Sequence, residues 1–118
     1  MIRVDLPFPH KLLWPNGSRG NLFALSREKK KHRRWAADAT LAVTQGAQVP
    51  EAHAPIPVKI VVHAKPRGPL PDRDNCVAAA KALLDGIAER LGVNDRNFAT
   101  PTVEFATPRD GRFVIEVG

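Results

Sequence analysis

The stretch Pro71-Asp72-Arg73-Asp74-Asn75 sets two carboxylates two residues apart, across one arginine, where an amphipathic run begins. Carboxylates paired in this way offer several hard oxygen donors in a small volume, which suits a divalent cation such as Mg²⁺ better than a soft metal. The same aspartates also suit a simpler job. An acid at the first turn of a helix accepts backbone N–H bonds and matches the helix dipole, worth about 1 kcal/mol. One aspartate is enough for capping, so the second needs another reason. A calcium loop of the helix-loop-helix kind fails on spacing, because it calls for an oxygen ligand where Cys76 stands and a glycine where Val77 stands. Zinc fails as well: His10, His32, His53 and His63 are scattered and Cys76 has no thiol companion.

The element that must position this pair is a helix from about Asn75 to Leu91, closed by Gly92. At about 100° per residue, Val77, Ala80, Leu84, Ile87 and Leu91 fall on one arc and face the core. Asp74, Ala78, Lys81 and Asp85 share a narrow strip beside that arc. Helical side chains lean toward the N-terminus, so Lys81 is expected to reach past Ala78 toward Asp74, roughly 10 Å away along the axis. Asp85 is either a partner behind the site or an i, i+4 ion pair with Lys81. Beyond the helix, Asp95 in Gly92-Val-Asn-Asp-Arg-Asn-Phe98 is a third acid. By itself it reads as an ordinary turn aspartate.

The remaining elements supply a frame and a cationic face. Ile2, Val4 and Leu6 alternate with Arg3 and Asp5 as a strand with one buried face. Residues 7 to 25, with Pro7, Pro9, Pro15, Gly17 and Gly20, read as an irregular surface segment. Phe8, Trp14 and Phe23 lie in it, each either a core residue or a wedge between bases. Ser26 is expected to cap a helix from Arg27 to about Gln45, stopped by Gly46 and Pro50, with Trp35, Ala39, Ala42 and Val43 as its apolar stripe. Its first turns crowd Arg27, Lys29, Lys30, Lys31, Arg33 and Arg34 around Glu28, a cluster that favours phosphate contact over a merely solvated face. After a Pro- and Ala-rich loop over residues 46 to 57, Val58, Ile60, Val62 and Ala64 mark a strand, and Lys65, Arg67 and Arg73 add loop cations. Val103 and Phe105, then Arg109-Asp110-Gly111, then Phe113, Ile115 and Val117 predict a terminal hairpin. The expected fold is α+β, a single domain over residues 1 to 118. Its mixed sheet of about four strands packs against two main helices.

Composition narrows the partners. Eighteen Lys and Arg against twelve Asp and Glu give the 118-residue chain a net charge of +6, which favours a polyanion, nucleic acid first and anionic membrane second. With five Phe, two Trp and no Tyr, the core falls to Val, Ile, Leu and Ala. A single cysteine rules out an intrachain disulfide and suits a reducing compartment. No apolar run reaches the roughly 20 residues of a membrane helix, and the N-terminus lacks a signal-peptide core, so a cytoplasmic protein with no membrane partner is expected.

Taken together, the order of motifs resembles the RusA family of Holliday-junction resolvases: Leu6-Pro-Phe-Pro9, a basic central helix, a strand, Asp72-Arg-Asp-Asn75 opening a helix, then Asn94-Asp-Arg-Asn-Phe98. Outside the last two motifs the likeness is one of element order. The resemblance implies a small homodimeric, Mg²⁺-dependent endonuclease, with Mn²⁺ as a substitute, that cuts four-way DNA junctions in recombination and repair. It also implies a bacterial or phage-encoded protein acting at the nucleoid. By the same resemblance Asp72, Asp74 and Asp95 build the metal site, holding one or two ions. The family's lysine four residues after the second aspartate is replaced here by Ala78, which leaves Lys81, one turn later on the same strip, as its substitute. Two other readings remain beside it: a non-catalytic basic nucleic-acid-binding protein whose aspartates only cap a helix, and a metal nuclease acting on flaps, other branched DNA or RNA.

Overall fold

The computed structural model describes residues 1–15, 21–45 and 55–118. The glycines at 17 and 20, the stop at Gly46 and Pro50, most of the loop that follows, and His53 lie outside the described residues. The elements run β1 (Ile2–Pro7), a 3-10 turn (Lys11–Leu13), α1 (Leu22–Thr44), β2 (Val58–His63), α2 (Arg73–Ala79), α3 (Lys81–Leu91), a second 3-10 turn (Asp95–Asn97), β3 (Thr102–Phe105) and β4 (Arg112–Val117). The fold is α+β with a four-stranded mixed sheet, as the pattern predicts.

Strand order is β1-β4-β2-β3, with β4 antiparallel to both its neighbours and β2 parallel to β3. The expected terminal hairpin therefore does not form, because β2 lies between β3 and β4. The reason is visible in the connection. Ala106 N–H bonds to Val62 O and Gly111 N–H to Ala64 O, so the segment after β3 bonds along the end of β2 instead of closing on itself. His63 Nδ1 lies 2.9 Å from Pro108 O and donates to it, adding a third tie. β2 earns the interior position by composition, since Val58, Ile60 and Val62 are buried and a central strand hides the most apolar surface.

One face of the sheet carries the core. Ile2, Val4 and Leu6 of β1, Ile60 and Val62 of β2, and Phe113, Ile115 and Val117 of β4 meet Leu83, Leu84 and Ile87 of α3. Phe8, stacked 5.2 Å from Trp14 and edge-on to Phe113, closes one end. The opposite face sets charged pairs around buried Val114, with Lys59 between Glu104 and Glu116 and Arg112 near Asp5. Among the described residues no helix is long and apolar enough to cross a membrane.

Two helix expectations need correction. Asn21, not Ser26, caps α1, its Oδ1 accepting from Ala24 N–H at 3.0 Å, so the helix starts more than a turn early and takes in Leu22 to Ser26. The buried stripe of α1 is His32, Ala36 and Thr40; Trp35 and Ala39 are partly buried, and Ala42 and Val43 are exposed. Polar residues fit the buried positions because each is satisfied. Thr40 Oγ1 donates to Ala36 O, and His32 Nδ1 donates to Glu28 O while Nε2 accepts from His10 N–H. Burial lowers the His32 pKa, which keeps the imidazole neutral in this tautomer.

The expected second helix pauses once, at Ala80, whose N–H is shared between Cys76 O and Val77 O. Its apolar arc is as predicted, with Ala80, Leu84 and Ile87 buried and Val77 and Leu91 partly so. Cys76 is also fully buried, its thiol pushed up to about 11 by desolvation, and serves as a small apolar side chain.

α1 and α3 touch at Gly86, where a Cβ would sit 2.1 Å from Arg33 O and 3.0 Å from Ala36 Cβ. Alanine there gains roughly 1 kcal/mol of helix propensity, but overpacking a backbone contact typically costs about 1–3 kcal/mol. At a 2.1 Å separation the upper end applies, so Gly86→Ala is expected to lower the urea midpoint with an unchanged m-value; an unaltered or raised midpoint would contradict this packing.

Candidate functional site

The sharpest polar constellation is built by the end of α3 folding back on itself. Gly92 adopts the left-handed conformation at φ +72°, its N–H bonding to Glu89 O, and Val93 N–H reaches Ala88 O. These are the two bonds of a Schellman reversal, which turns the chain back toward the helix. Asn94 Oδ1 then accepts from Arg96 N–H, fixing the 3-10 turn, and Ile56 pins it by bonding to Asn97 O and Ala99 N–H. Asp95 is thereby delivered beside α3. Lys81 Nζ lies 2.7 Å from Asp95 Oδ2 and 2.7 Å from Asp85 Oδ1.

Lys81 therefore points away from Asp74, opposite to the expected lean. Two carboxylates within hydrogen-bond reach outweigh one about two turns off. The ion pair with Asp85 is the i, i+4 contact foreseen from the helical strip. Hydrogen bonds to Asp85 and then Asp95 raise the Lys81 pKa, and the Lys81 hydrogen bond holds the Asp95 carboxyl below the usual range. Arg33, Glu89 and Asn94 complete a hollow of about 380 Å³ around this group.

Asp72 and Asp74 sit apart from it, edging a separate hollow of about 530 Å³ with Leu70, Pro71, Asn75 and Phe105. Asp72 occupies the N-cap position of α2 but its side chain makes no capping bond. Neither carboxylate has a hydrogen bond or ion pair with a described residue. Arg73, between them, is turned toward β3: its Nε donates to Val103 O and its guanidinium stands 5.1 Å over the Phe105 ring. Two exposed, unpartnered carboxylates beside each other fit Mg²⁺, which is commonly held by one or two carboxylates and keeps several waters. Asp95 does not join them. Among the described residues no three His, Cys, Asp or Glu side chains form a group that could hold a metal ion. The three-acid ligand set is thus split by Lys81, which draws Asp95 into its own ion pairs.

The cations of α1 are not equivalent. Lys31 pairs with Glu28, Arg33 with Glu89 and Arg34 with Asp38, whereas Arg27, Lys29 and Lys30 have no ion pair with a described residue. Of the loop cations, Lys65 lies over the Phe8 ring and Arg67 is exposed. Between α1 and the second helical arm runs a groove of about 520 Å³, with Lys29, Lys30 and Arg33 on one side and Ala78, Lys81 and Asp85 on the other. The helical strip thus holds for Ala78, Lys81 and Asp85. Of the three candidate wedges, Phe8 and Trp14 are core residues and Phe23 is 88% exposed.

Sequence reasoning missed Arg33–Glu89 and the Asn94 cap. The second had a local signal, because Asn before Asp-Arg is a favoured cap; the first, spanning 56 positions, had none.

Replacing Lys81 by Met is expected to return the Asp95 carboxyl to the usual range, read by carboxyl-carbon NMR titration. The depressed Asp95 pKa contributes stability above the ordinary aspartate pKa that is lost as pH falls through the lowered value. Lys81, raised, contributes below the ordinary lysine pKa and loses it as pH rises through the raised value. An Asp95 titration unmoved by Lys81→Met would show that this contact does not hold in solution.

No family model matches the sequence. An uncharacterized protein of Xylella fastidiosa (strain Temecula1) is 33% identical over 120 aligned positions, covering 99% of this chain and 76% of that protein. At that identity and coverage the chain belongs to the same family as the uncharacterized Xylella protein.

Proposed function

We propose that the protein is a Mg²⁺-dependent endodeoxyribonuclease that cuts branched DNA, four-way junctions in particular, as a homodimer. The observation that carries this reading is the free Asp72–Asp74 pair on the same helical arm as Lys81, in a chain of net charge +6. Unpaired acids repel DNA unless a cation bridges them to phosphate. Mg²⁺ bound at such a pair would supply Lewis-acid activation of a phosphodiester and of water.

The chain's own residues supply the rest. Asp72 and Asp74 would hold the cation from the mouth of α2, and Asn75 lines the same hollow. Lys81, held by Asp85 and Asp95 further along the same helical arm, would offer its ammonium to a phosphate of the bound DNA. Asp95 acts through Lys81, as a positioning residue. The exposed cations of α1, with Lys65 and Arg67, hold backbone phosphates. A two-fold dimer presents two such sites to the two equivalent strands of a junction.

The test is incubation of wild type and Asp74→Asn with a synthetic four-way junction, with and without Mg²⁺. Wild type is expected to nick only with metal, and Asp74→Asn to lose nicking by about 10²-fold or more while still binding the junction in EDTA. Junction binding by both proteins with metal-dependent nicking by neither would leave a non-catalytic binding protein. Nicking of flaps or RNA in preference to junctions would reassign the substrate.

A further inference from the structure

We infer that the groove between α1 and the α2–α3 arm is a track for one DNA strand, leading it to Lys81. The inference rests on the reading that the protein binds DNA. Arg33 and Asp85, next to the close contact at Gly86, line the groove, whose sides are the first turns of α1 and the junction of α2 with α3. Lys29, Lys30 and Arg33 recur along α1 at the spacing of one helix face, with Lys81 opposite. Among the described residues that line the groove, Asp85 is the one acid, and it is engaged by Lys81. The remaining charge is positive and suits a phosphate chain.

Leu25, Ala78 and Ala82 add apolar lining against which sugars and bases can lie. A space of about 520 Å³ falls in the range of roughly 300–1,000 Å³ that takes one small ligand. It admits a nucleotide or two of a single strand and is too small for a duplex. The groove shares Arg33, Lys81 and Asp85 with the hollow that contains Asp95, so a strand lying in it passes the ion-paired lysine. Arg27, Lys31 and Arg34 do not line the groove. The selectivity for branched DNA then comes in part from strands unpaired at a branch.

Fluorescence anisotropy with a labelled oligothymidylate and with a duplex of equal length, both in EDTA, tests this without requiring cleavage. Removing Lys29, Lys30 and Arg33 together by alanine is expected to lower the salt slope of strand binding by about 2, at about 0.7 per phosphate contact. Removing Arg27, Lys31 and Arg34 together should leave that slope unchanged. Ala78→Trp, at an exposed position, is expected to weaken strand binding at least tenfold with duplex affinity and circular dichroism unchanged. Equal slope losses in the two triple variants would overturn the track, as would strand binding by Ala78→Trp at wild-type strength, parallel loss of strand and duplex, or no strand binding by wild type. Failure of nicking alone would leave these outcomes readable.

Discussion

The contact of α1 with α3 at Gly86 organises the surface of this protein. With no Cβ at that position, the Arg33 carbonyl and the Ala36 side chain approach the α3 backbone directly. Ala36, Ala79 and Ile87 are buried in the same layer, and small residues hold the two arms close over the sheet. The groove between the arms follows from that closeness, as does the reach of Arg33 to Glu89. A bulkier residue at 86 would separate the arms, widening the groove and breaking the pairing of Arg33.

Electrostatics in this chain is a matter of which charges are spent. Glu28, Asp38 and Glu89 each engage a cation of α1, and Lys81 consumes Asp85 and Asp95. These pairs are largely exposed, so each contributes little to stability. Their effect is to decide where unbalanced charge remains. Lys29 and Lys30 are left on the groove wall, and Asp72 and Asp74 are left at the mouth of α2. A basic protein with two bare acids on the arm that carries its most firmly held lysine has separated anion-attracting from cation-attracting surface along one helical strip.

Much of the frame was legible in the residues because its signals are local. The alternation of Ile2, Val4 and Leu6, the apolar set Val58, Ile60 and Val62, and the arc Ala80, Leu84 and Ile87 each need only the period of one element, and all are buried as that period requires. The terminal hairpin misled because the pattern of Val103, Phe105, Phe113 and Ile115 specifies strands but not neighbours. Insertion of β2 between them is a long-range choice, set by which strand hides the most apolar surface. The α1 stripe was displaced for a related reason: His32 and Thr40 are polar by type, and only backbone partners at Glu28, His10 and Ala36 make them core residues.

At the site, legibility stopped where tertiary contact begins. Periodicity placed Ala78, Lys81 and Asp85 on one strip, and that strip lines the groove. It could not fix the direction of a long side chain with several rotamers, and the choice went to Asp85 and Asp95 over Asp74. The position of Asp95 depends on the reversal at Gly92 and on pairing with Ile56, 39 positions earlier in the chain. This arrangement gives Lys81 a role that the sequence pattern alone did not suggest. An ammonium held between two carboxylates stays protonated, and those two hydrogen bonds fix its position. Asp72 and Asp74 have no side-chain partner among the described residues, so their oxygen lone pairs are left unengaged there. Asp95 anchors the lysine and, among the described residues, does not join Asp72 and Asp74 in a three-acid group.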